Sequence, residues 1–352
     1  MKKNQNHENK FFDRSRIIII LLTTVMLTGL AQVTSAQSCS KDNAKTTAAV
    51  LEQLMWNKDV AGIKKMTDAD PGLINQRLIN DETMLTIAAW NGETELIKYL
   101  IEKGADPGLQ NKWDNAALHN ASIKGYADIV AILLGNGADV NQKGSVGNSP
   151  LFQAAVNQHP ETVALLLKYG AHVNAPNNYQ STPIMASSWG GNPDVMSLLL
   201  QHGADYGFIT EEGNTILHNL ASNGNSACIT MLLDKGVDAN RGNQEGKLPL
   251  HIAIINEHTD AAVILMKATK NLNIQENVLG NTPLHIAAIN GNDEIVKLLL
   301  DAKADASFKN KAGHTAVGYA IKYGYAGVTA SFADRNLASK QDVKTAAGNR
   351  DH

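Results

Sequence analysis

Eleven histidines, two cysteines and a set of aspartates in register are the residues of this chain that could act as metal ligands, nucleophiles or proton carriers. A zinc site needs its ligands grouped. The sequence holds no His-Glu-x-x-His, no Cys-x-x-Cys and no close pairing of histidine with cysteine. His119, His218, His251 and His285 instead occupy equivalent positions far apart along the chain, while His159, His172, His202 and His258 fall near expected loops or helix ends and should be solvent exposed. Gly-x-Ser-x-Gly is absent. Cys228 stands in register with Ile295, a core position, and is read as a small buried hydrophobe, not a reactive thiol. Gly135-Asn136-Gly137 and Gly190-Gly191 lack the Gly-Lys-Ser/Thr ending of a phosphate loop. Asp106, Asp139, Asp205, Asp238 and Asp305 suit turns in which the side chain bonds its own backbone. The reading is therefore a non-enzyme with no catalytic residues, no metal and no cofactor. A metal-dependent enzyme using scattered histidines and aspartates is the remote alternative.

The elements that carry these residues repeat. One pattern of residue types returns at Thr83, Ala116, Ser149, Thr182, Thr215, Leu248, Thr282 and Thr315, every 33 residues except for 34 between Leu248 and Thr282. A fixed period of this size means a solenoid. In the fullest copy Thr282-Pro283 starts a helix, because proline at the first helical position loses no needed donor. Small residues such as Ala287-Ala288 let helices approach closely, and runs such as Leu298-Leu299-Leu300 fill the core. Glycines after the first helix (Gly92, Gly125, Gly191, Gly224, Gly291, Gly324) and after the second (Gly104, Gly137, Gly170, Gly203, Gly236) supply left-handed stops. The copy at Leu248 departs, with Glu257 and Thr269 in the two glycine places and one inserted residue. A bend, a local opening or simple drift would each account for it.

Thr282-Pro283-Leu284-His285-Ile286-Ala287-Ala288 and its partial copies resemble the ankyrin repeat. The resemblance implies an all-α fold, a solenoid of helix-turn-helix units with β-turn fingers, in which the motif histidine is a hydrogen-bonding staple. On this basis a degenerate first cap covers residues 44–78, with helices over 47–55 and 60–66. Repeats follow over 79–111, 112–144, 145–177, 178–210, 211–243, 244–277, 278–310 and 311–336, and a polar tail closes the chain at 337–352.

The amino terminus differs from the rest. Five basic residues between Lys2 and Arg16 precede an apolar run from Ile17 to Leu30, and Thr34-Ser35-Ala36 offers a small-residue cleavage site. Residues 1–36 are read as a secretory signal peptide and 37–43 as a short leader. The product would be periplasmic or secreted, with no integral membrane segment after cleavage. A membrane-tethered lipoprotein through Cys39 is the alternative. The mature chain would hold 26 basic against 32 acidic residues, which speaks against nucleic acid as a partner. Several helix layers should separate Cys39 from Cys228, so no disulfide between them is expected.

In the ankyrin family a protein partner usually lies across the concave face, touching the fingers and the exposed end of each first helix. In register, the finger slot holds Trp113, Val146 and Tyr179, and the helix slot holds Trp90, Ile123, Val156 and Trp189. These seven are the candidate binding residues. Packing of Trp90 and Trp189 on neighbouring repeats is the other account of them. Asn91, Lys124, Asn157, Asn223 and Asn290 would form a polar rim, and Glu211, Glu212 and Glu245 make the later fingers acidic. The expectation is a monomeric, non-enzymatic scaffold for a protein partner, acting outside the cytoplasm. Resemblance to exported bacterial ankyrin-repeat proteins implies support of an exported stress-defence enzyme such as catalase. An effector or adaptor delivered to another cell is the rival reading.

Overall fold

The structure, a computed structural model, describes residues 41–338 and 340–348. The expected signal peptide, its expected cleavage site and Cys39 lie outside the described residues. The chain divides into two compact units, residues 1–50 and 51–352, and the repeats lie in the second. Every regular element among the described residues is helical.

One repeat shows how the sequence sets the fold. Pro283 opens the helix Pro283–Asn290 behind the Thr282 cap, and Gly291 stops it in the left-handed region at φ 72°. The second helix, Asp293–Asp301, starts at Asn292, whose side chain accepts from the Ile295 N–H at 3.0 Å. Leu284, Ala287 and Ala288 of the first helix and Ile295, Val296, Leu299 and Leu300 of the second are buried. Burying a leucine or isoleucine fully is worth roughly 2 kcal/mol. Neither helix could bury these faces alone. First helices stack on first helices, and second on second, from Met84 through Ala333.

Histidine staples join the layers. In His119, His218, His251 and His285 Nδ1 accepts the backbone N–H at the start of its own helix, at 3.0–3.3 Å. Nε2 then donates to a carbonyl at the junction with the next repeat, that of Gln142 and Ile274 at the end of the histidine's own repeat and of Lys247 and His314 at the start of the following one, at 2.9–3.1 Å. This assigns the neutral Nε2–H tautomer. His159 and His258, expected at the surface, are half-buried staples of a second kind. Their Nε2 atoms reach back to Ile123 O at 2.9 Å and Ser222 O at 3.0 Å.

The Leu248 copy adapts within itself. Glu257 takes the left-handed conformation at φ 61°. The helix Thr259–Ala268 runs one residue longer than its counterpart Asp293–Asp301 and ends on extended backbone at Thr269, with no left-handed stop. Its first helix, Pro249–Ile255, still packs on Ile216–Ser222 and Pro283–Asn290.

Both ends differ from expectation. The first helix is Lys41–Trp56, so residues 41–43 of the leader are helical, and the second runs Val60–Ala69. Residues expected as a polar tail include the helix Lys340–Gly348, which packs on the helices Ala316–Lys322 and Ala326–Ala333. Ala346 of this helix is fully buried.

Candidate partner-binding face

The fingers are built around asparagines. Asn111 Oδ1 accepts from the N–H groups of Trp113 and Asn115, and Asn177 Oδ1 from those of Tyr179 and Ser181, all near 3.0 Å. Each amide also reaches the preceding finger, Asn111 Nδ2 to Glu82 Oε1 at 2.8 Å and Asn177 Nδ2 to Asn148 Oδ1 at 2.9 Å. Main-chain bonds run alongside, from Lys112 N–H to Asn80 O and from Asn178 N–H to Val146 O. The fingers that carry the aromatic side chains are thus fixed from within. Recurrence of asparagine five residues before the Thr slot was the signal for this clasp, and reading for apolar residues alone missed it.

Glu82 takes the place asparagine holds in its neighbours. It is buried, and its Oε2 has no partner among the described residues. Burial pushes its carboxyl above the usual carboxylate range.

Tyr179 is 69 % exposed, Val146 40 % and Trp189 39 %; Trp90, Trp113, Ile123 and Val156 are half-buried. Trp189 also meets Phe152 edge to face at 6.4 Å, so it packs and stays accessible at once. Lys124 Nζ sits 3.9 Å from the Trp90 ring centroid and Lys112 Nζ 4.6 Å from that of Trp113, which places cations on two of the aromatic faces. Val146 is a β-branched residue in the left-handed region, at φ 49°. The expected polar rim is mostly spent inside the chain. Asn157, Asn223 and Asn290 donate their amides to the carbonyls of Gln153, Asn219 and Ile254, and Asn91 donates to Glu93.

Cys228 is fully buried with Sγ 3.3 Å from Gly191 O, and burial pushes its thiol up to about 11. Asp106, Asp139, Asp205, Asp238 and Asp305 each accept from the backbone N–H two residues on, as turn residues do. Among the described residues no group of three His, Cys, Asp or Glu side chains comes together to hold a metal ion. No helix among them is long and apolar enough to cross a membrane.

A family profile described as "Ankyrin repeats (3 copies)" matches residues 45–144, 143–210, 205–276 and 265–336. The chain belongs to the ankyrin-repeat family. Its members bind protein partners and are in general non-catalytic interaction modules. The crystal structure of the human ASB11 ankyrin repeat domain shares the fold, with a TM-score of 0.54 at 23% identity over 67% of this chain and 98% of that one. A stretch of 93 residues is 33% identical to the serine/threonine-protein kinase VIK of Arabidopsis thaliana. That match takes in 25% of this chain and 21% of the kinase, so the chain spans about a fifth of that relative's length.

Proposed function

We propose that this ankyrin array is a protein-binding scaffold that works outside the cytoplasm and takes its partner on the fingers and first helices between Trp90 and Trp189. The exposure of Tyr179 and Val146 on the fingers and of Trp189 on a first helix carries the reading. Large apolar side chains displayed on a fixed frame lose little freedom on binding, and tryptophan and tyrosine are the usual energetic anchors of protein interfaces. The basic start, apolar run and small-residue site of residues 1–36 support export. Replacement of Trp113, Tyr179 and Trp189 by alanine should abolish recovery of the partner in a pull-down from the exported fraction, with the helical circular dichroism signal unchanged. Undiminished recovery would remove this face from consideration. The same experiment shows whether the captured partner is an exported stress-defence enzyme. Fractionation of the producing cell tests the compartment.

A further inference from the structure

The later fingers form one tied strip. Gln244 N–H donates to Glu212 O at 2.9 Å, Asn277 N–H to Glu245 O at 2.6 Å and Lys311 N–H to Leu279 O at 2.9 Å. Charge along the strip is uneven. Glu211 and Glu212 are exposed and enter no ion pair among the described residues, whereas Glu245 is held by Lys247 at 2.8 Å. The next finger is apolar, with Val278 and Leu279 each 55 % exposed.

The single inserted residue lies in that apolar finger. In a 33-residue copy Asn310 closes the finger, its Oδ1 accepting from the N–H groups of Ala312 and His314 at 3.1 Å. In the longer copy Glu276 stands in this place, with one more methylene for a loop with one more residue. Its Oε2 accepts from Val278 N–H at 2.7 Å, and its Oε1 from Leu279 N–H at 2.8 Å and Asn281 N–H at 2.9 Å. Glu276 is itself only 3 % exposed. Val278 and Leu279 are therefore displayed by a clasped loop.

From Tyr179 and Trp189 onward the face reads apolar, acidic, apolar. Resting on the scaffold reading above, we infer that its occupant is an extended basic segment of the protein partner with an apolar anchor at each end. One anchor meets Tyr179 and Trp189, arginine or lysine side chains meet Glu211 and Glu212, and the second anchor meets Val278 and Leu279. Tyr179 and Leu279 are three repeats apart, which at ~8–10 Å per packed helix layer is roughly 24–30 Å. A strand advances ~3.3 Å per residue, so the anchors stand about seven to nine residues apart. A helical segment would need about twice as many residues to cover the same distance.

Selection of a random twelve-residue phage-displayed peptide library on the immobilised full chain tests this. Enriched peptides should carry two apolar residues about seven to nine apart with at least two arginines or lysines between them. Glu211→Lys combined with Glu212→Lys should weaken a selected peptide about tenfold, and added salt should weaken it in the parent chain. Deletion of Val278 combined with Glu276→Asn, which restores a 33-residue finger, should also weaken it about tenfold. Should that variant lose its helical signal, Val278→Ser with Leu279→Ser keeps the loop length and its clasp and gives the same measurement. Peptides without basic residues, no enrichment at all as for a folded partner surface, or affinities indifferent to these variants would overturn the inference. The scaffold reading survives any of these if partner recovery still depends on Trp113, Tyr179 and Trp189.

Discussion

Burial holds His119 and His251 down to about 4, from an ordinary value of 6.5. A histidine charged less readily in the folded chain than in the unfolded one stabilises the fold fully above pH ~6.5, and that contribution is lost as pH falls toward 4. The difference is on the order of 3 kcal/mol for each. Urea midpoints should fall between pH 7 and pH 5, and less steeply in the His251→Gln variant. Glu82 has the opposite sign. Its raised carboxyl means that folding favours the protonated acid, so stability falls as pH rises through the interval between the ordinary and the raised value. Glu82→Gln keeps an acceptor for Asn111 and should raise stability at pH 7 by about 1 kcal/mol. Val146 tests the proposed binding face in the same manner. Asparagine tolerates the left-handed region better than valine, so Val146→Asn should stabilise the chain by about 1 kcal/mol in a urea titration while reducing partner recovery.

At the scale of the element, two of the glycine slots after first helices are filled by other residues, with different results. Gln158 has φ 63°, yet its side chain accepts from Asn192 N–H at 2.7 Å and donates to Ser187 O at 3.2 Å, which ties it to the next repeat. Gly190 leaves room for it, since a Cβ there would lie 2.3 Å from the Gln158 side chain. Glu257 has φ 61°, and among the described residues its side chain makes no comparable bridge. Glu257→Gly should therefore raise thermal stability by about 1 kcal/mol, and Gln158→Gly should not. The period, the paired helices and the glycine stops were legible in the sequence because they follow from local residue types. The finger slot also placed Val146 and Tyr179 at the surface. What the sequence alone did not show depends on neighbours in space. Polarity made Asn157 and Asn223 look like a binding rim, whereas proximity gives their amides carbonyls within the chain. His159 and His258 looked exposed because their partners lie 36 residues away, across a layer boundary.

For the molecule as a whole, contacts between neighbouring layers make stability a sum over repeats and their joints, so the ends open first. The helix Lys340–Gly348 covers the last repeat, where Phe332 and Val328 are buried. Truncation after Leu337 should speed hydrogen exchange in the helices Ala316–Lys322 and Ala326–Ala333. Exchange in the helices between Met84 and Gln201 should stay unchanged, which keeps the proposed Trp90 to Trp189 face intact. Loss of protection throughout would mean that the array unfolds as one unit.

The Glu276 clasp links two events in the history of the gene. An added codon in the finger leaves asparagine too short to close it, and glutamate in a finger of ordinary length has a methylene to spare. Each change alone is a handicap and the two together are not, so they should have been inherited as a pair. Related chains with a 34-residue interval at this point should carry glutamate at the clasp, and those with 33 should carry asparagine.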